Sequence, residues 1–185
     1  MMSNFELLKS IIIPIATFIL GFIVNRIFTW HDKRKQISNI RSILIKEMVE
    51  NYKELIRFVP KKESEEAGIG SLQSAVDNIS SSVYDNYLGR ICELDKEEVE
   101  YIYEAYNIMK VSIRIIHADR IYITPESLMK YDKKCQIACN NTWKNYKRIL
   151  IALKNALAFL DNNKEVAKLL DENPLPDYIK QQNSN

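Results

Sequence analysis

One apolar run near the N-terminus, Ile11-Ile-Ile-Pro-Ile-Ala-Thr-Phe-Ile-Leu-Gly-Phe-Ile-Val24, limits what the rest of the chain can be. Uncharged residues extend from Ser10 to Asn25, and the flanking charges are Lys9 and Arg26. Sixteen residues at about 1.5 Å each give ~24 Å of helix, whereas a hydrocarbon core of about 30 Å usually takes about 20 residues. The shortfall closes at both ends. Lys9 and Arg26 can lay their stems along the apolar surface and place their charges among headgroups. Phe5, Leu7 and Leu8 lengthen one end, and Ile27, Phe28 and Trp30 the other, with Trp30 suited to the interfacial aromatic belt. The run is therefore expected to be a single membrane span, with Ile11, Pro14, Thr17, Phe18, Gly21, Phe22 and Val24 in it. Pro14, near the outer end, is tolerable in such a helix.

Two other readings fit less well. A cleaved signal peptide needs small residues at an A-x-A-like site, and Asn25-Arg-Ile-Phe-Thr-Trp30 offers none. A buried core helix would show one apolar stripe, whereas here apolar residues cover every face.

Flanking charge sets the orientation. Arg26, Lys33, Arg34, Lys35 and Arg41 follow the span against one acid, Asp32. The positive-inside rule then places the C-terminal part in the cytoplasm and the N-terminus outside, at the cell's inner membrane. Arg26, Trp30, Lys33, Arg34 and Lys35 would meet lipid headgroups.

The 185 residues leave room for one further domain behind the anchor. We expect an anchor at 1–30, a helical domain at 31–172 and a polar disordered tail at 173–185. Only four glycines and five prolines occur, and long stretches lack both, which favours helices over sheet. A net charge of +2 gives no electrostatic case for nucleic acid. The three cysteines, Cys92, Cys135 and Cys139, show no disulfide framework and fit a reducing compartment. Cys135 and Cys139 share a helix face, but a zinc site needs four ligands, so they read as small core residues.

Beyond the span, Ile37, Ile40, Leu44, Met48, Leu55 and Val59 recur at helical steps until Pro60. Glu47 and Asn51 flank that stripe and are expected to be solvated, the alternative being a buried polar pair that fixes register or binds a partner. Residues 61–70 read as a charged, glycine-containing loop. A helical pattern resumes at Ser71 and bends at Ser80-Ser-Ser82, where serines compete for backbone hydrogen bonds. Asp95 and Glu98 form a capping-box pattern for a helix with the seam Val99, Ile102, Tyr106, Met109, Ile113 and Ile116. Thr124-Pro125-Glu126 opens another helix, expected to run to about Leu160 through Leu128, Tyr131, Cys135, Ala138, Thr142, Ile149, Leu153 and Ala156. Its stretch 149–160 could suggest a second span, but Lys154 and the short length favour a core helix. Asn163 is expected to cap a last helix carrying Val166, Leu169 and Leu170.

The fold expectation is all-α: one N-terminal transmembrane helix followed by a cytoplasmic antiparallel bundle of about four helices. Tyr84, Tyr87, Tyr101, Tyr103 and Tyr106 form an aromatic group that could line the bundle boundary or a contact surface. Glu47, Asn51, Tyr84, Tyr87 and Tyr103 are the candidate interaction residues. The acids at Glu97, Glu98, Glu100 and Glu104 suit a helix start. Lys144, Lys147, Arg148 and Lys154, with Trp143 and Tyr146, give one helix a basic face that reads as solvated. No nucleotide, hydrolase or metalloprotease motif is present, so no cofactor or metal is expected. The functional expectation is a non-enzymatic, membrane-anchored interaction or scaffold module. Its partners would be membrane lipid and itself, as a homo-oligomer, or a cytoplasmic protein. The alternative is a membrane-perturbing effector of toxin or defence type. There, Thr17, Gly21 and Asn25, at four-residue steps, would bring spans together.

Overall fold

The computed structural model describes residues 4–61, 68–130, 132–160 and 164–180, and among these every regular element is helical. Helix α1 runs Asn4–Ile56, α2 Ile69–Asn78, α3 Ser82–Ile91 and α4 Lys96–Asp119, followed by a 3₁₀ turn at Arg120–Tyr122. Then come α5 Pro125–Lys130, α6 Lys133–Leu160, α7 Lys164–Glu172 and α8 Asp177–Lys180. The chain divides into two compact units, Met1–Ile40 and Arg41–Asn185, and the division falls within α1.

In the N-terminal unit, α1 is long and apolar enough to cross a membrane. All its large apolar side chains described from Ile12 to Trp30 are exposed, from 42% at Val24 to 76% at Phe18. An apolar helix bare on every face is unlike a core helix, which hides one stripe. Pro14 lies inside α1 without ending it. The side chain of Ile11 lies outside the described residues.

The C-terminal unit has its own core. The most extensive packing is between α4 and α6, with α2 lying against both. Leu44, Met48, Tyr52 and Leu55 of α1 are fully buried, as are Ile102, Tyr106, Met109 and Ile116 of α4. From α6, Cys135, Tyr146, Ile149, Leu150, Leu153 and Leu157 are buried. The stretch 149–160 is thus a core helix. At the α4 start, the Glu98 carboxylate accepts the Asp95 backbone N–H at 3.3 Å, the reach-back half of the expected capping box.

Three expectations need correction. The helix opened by Thr124 does not continue to Leu160. It stops at Lys130, and Asp132 starts α6 by accepting the Cys135 N–H at 2.8 Å. Leu128, placed in the seam, is 42% exposed, and Tyr131 lies outside the described residues. The segment after 173 is not a loose tail up to Lys180. Leu175 and Ile179 are buried, the Tyr178 hydroxyl donates to the Pro60 carbonyl at 2.6 Å, and the Tyr52 hydroxyl donates to the Asn173 carbonyl at 2.9 Å. Finally, Glu47 and Asn51 are buried rather than solvated. Most of the expected 61–70 loop, the Asn163 cap and residues 181–185 fall outside the described residues.

Candidate functional site

The break between α2 and α3 leaves backbone groups without helical partners, and α1 supplies them. The first N–H groups of any helix lack an intrahelical acceptor, and its positive end attracts an anion. Oε1 of Glu47 accepts the Val83 N–H at 2.9 Å and the Ser80 hydroxyl at 3.1 Å. Oε2 accepts the Tyr84 N–H at 3.2 Å and the Tyr106 hydroxyl at 2.6 Å. One turn on, Asn51 clamps Ser80 from both sides. Its amide donates to the Ser80 carbonyl at 2.6 Å, and its oxygen accepts the Ser80 N–H at 2.9 Å. The i, i+4 spacing of Glu47 and Asn51 puts both on one face of α1, which is why the pair can serve one break.

The network spreads through aromatic rings. Tyr84 stacks on Tyr106 with centroids 4.2 Å apart. Lys110 lies 5.0 Å from the Tyr84 ring centroid and pairs with Asp85. Burial first, then the bond to Glu47, pushes the Tyr106 hydroxyl far above the ordinary phenol range, so it stays a neutral donor. A carboxylate offers about four lone-pair sites, and the donors around Glu47 engage both oxygens. Chemically this is a structural cap.

Of the candidate interaction residues, the fold brings Glu47, Asn51 and Tyr84 together in the interior. Tyr103 is 59% exposed, and Tyr87 is half-buried. Tyr106 was placed in the α4 seam by its spacing, but its role as the partner of Glu47 was not. The pair is separated by 59 positions, and no local pattern marks it.

A second polar group joins α2 to α4 and the following turn. Arg120 donates to Asp77 at 2.7 Å and to the Gln73 carbonyl at 3.3 Å, while His117 Nε2 lies 3.0 Å from Asp77. Burial pushes the Asp77 carboxyl up, but the bonds and charges of Arg120 and His117 outweigh it and hold it below the usual range. These side chains are 42–48% exposed, the setting of a surface ion pair rather than of a desolvated reactive site.

The cysteines follow their burial. Cys135 and Cys139 are buried with sulfurs 4.0 Å apart, and burial pushes the Cys139 thiol up to about 11. Cys92 is exposed. Among the described residues, no group of three or more His, Cys, Asp or Glu side chains is placed to hold a metal. Lys147 of the supposed solvated basic face is in fact buried, with its ammonium 5.3 Å from the Trp143 ring centroid.

At the end of the apolar segment, Arg26, Trp30, Lys33, Arg34 and Lys35 are all exposed. The Arg34 guanidinium lies over the Trp30 ring at 4.0 Å. Within the segment, Thr17 donates to the Ile13 carbonyl and Thr29 to the Asn25 carbonyl, both at 2.8 Å. The hydroxyls are thereby satisfied inside the helix, as a lipid environment requires. A Cβ added at Gly21 would meet nothing within 4 Å. Arg41 instead belongs to the C-terminal unit, where it donates to Glu98 at 2.8 Å. The chain matches no family model, no curated protein and no solved structure.

Proposed function

We propose that the chain is a non-enzymatic interaction module tethered to the inner membrane by one span. Its C-terminal unit, an antiparallel bundle built on α1, α4, α6 and the α2–α3 pair, faces the cytoplasm. There it binds a second copy of itself or a cytoplasmic protein. The observation that carries this reading is a contrast. The apolar side chains from Ile12 to Trp30 are all exposed, whereas the buried polar pair Glu47 and Asn51 is engaged in holding helices together. Cys92 provides the test of topology, because it is exposed while the other two thiols are buried. A membrane-impermeant maleimide should label it in inverted membrane vesicles and leave it unlabelled in intact cells. The reverse pattern overturns the orientation, and release of the chain by alkaline carbonate overturns the tether. Light scattering of the full chain in detergent across a concentration series should then show an oligomer or a co-purified protein.

The open face at Gly21 favours one further reading, in which close contact between spans perturbs the membrane. Overexpression should then arrest growth, and Gly21→Leu should relieve the arrest while carbonate-resistant insertion persists. Arrest unchanged by Gly21→Leu removes this reading.

A further inference from the structure

We propose that the helical collar from Arg26 to Lys35 selects anionic phospholipid, holding the headgroup phosphate at the cytoplasmic end of the span. The inference rests on reading residues 12–30 as a membrane span. Four cations, Arg26, Lys33, Arg34 and Lys35, stand here against one acid, Asp32, and all four are exposed. Because α1 is unbroken through this stretch, the i, i+4, i+7 spacing places Arg26, Trp30 and Lys33 on one face. The same stretch of exposed helix surface presents Phe22, Ile23 and Ile27 next to Arg26, Trp30 and Lys33. Such a surface offers apolar contact for an acyl chain and cations for the group above it.

Two features favour an anionic lipid over a zwitterionic one. A zwitterionic headgroup brings its own cation into a collar that is already positive, and like charges repel. In addition, Arg34 is held over the Trp30 ring. A guanidinium fixed in this way presents its planar fork to phosphate with less ordering left to do than a loose lysine. Arg41, paired with Glu98, lies outside the collar.

The test uses the full chain made by cell-free synthesis directly into vesicles of phosphatidylcholine and phosphatidylglycerol in equal parts. Native mass spectrometry after mild detergent extraction reads the lipids that stay bound. The wild-type chain should retain phosphatidylglycerol in clear excess, and the excess should shrink as salt screens the collar. The combined Arg26→Gln, Lys33→Gln and Arg34→Gln variant should lower the ratio about fivefold for each cation removed. Lys144→Gln, an exposed change in the other unit, should leave it unaltered. Equal retention of the two lipids by the wild type overturns the inference, as does a triple variant that keeps the preference. If the wild-type chain fails to stay with vesicles of either lipid, the membrane reading falls, and the inference with it.

Discussion

Glu47 is the residue whose removal should be felt most. The residue is 5% exposed, and its carboxylate accepts from two backbone N–H groups and the Tyr106 hydroxyl. Glu47→Ala leaves those donors buried without acceptors, so thermal unfolding of the full chain in detergent should show a loss of about 3–5 kcal/mol. Tyr106→Phe removes one donor and keeps the ring stacked on Tyr84, so about 1–2 kcal/mol should go. In the double variant the losses should fall short of the sum, because the same bond is deleted twice. Full additivity would show that the 2.6 Å contact contributes nothing by itself. The spacing of Glu47 and Asn51 on one helix face was legible in the sequence, and so was the serine break at 80–82. Their connection was not, because it joins residues 29 to 59 positions apart. A glutamate beside an apolar stripe looks the same whether it meets water or a distant helix start.

Among the elements, α2 is short, and it is fastened to α4 and the turn after it through Asp77, His117 and Arg120. The folded Asp77 carboxyl has a depressed pKa, so the unfolded chain takes up that proton first as pH falls. The contribution is therefore complete above the unfolded carboxylate value of about 4 and vanishes as pH drops through the lower folded value. Asp77→Asn should lower the melting temperature at pH 7, and the gap to wild type should close in acid. A constant gap across that range would assign the effect to packing instead. The elements also show where sequence patterns were sufficient. Asp95 and Glu98 announced α4 because a capping box is complete within four residues. The stop between α5 and α6 was hidden because Cys135, Ala138 and Thr142 continue a helical spacing already begun at Leu128. The Asp132 cap was the available signal, and it lacked a glycine or proline beside it. Helix α8 has four residues, fewer than a periodic pattern needs.

At the scale of the whole molecule, the C-terminal unit is closed by its last residues. Ile179 is fully buried. Ile179→Ala should destabilise the chain by about 2–4 kcal/mol, and urea titration of the full chain followed by near-ultraviolet circular dichroism should read the loss. An effect within about 0.5 kcal/mol, as at ordinary surface positions, would mean that α8 adds no stability. The bond from Tyr178 to Pro60 spans 118 residues of sequence. Synthesis at about 5–20 residues per second separates the birth of those partners by roughly 6–24 s. The apolar segment and Pro60 leave the ribosome well before Tyr178 and Ile179, the residues that close the core. For that interval the apolar segment is outside the ribosome while the C-terminal unit still lacks the residues that close it, so whatever first meets the exposed segment meets it before the core behind it is complete.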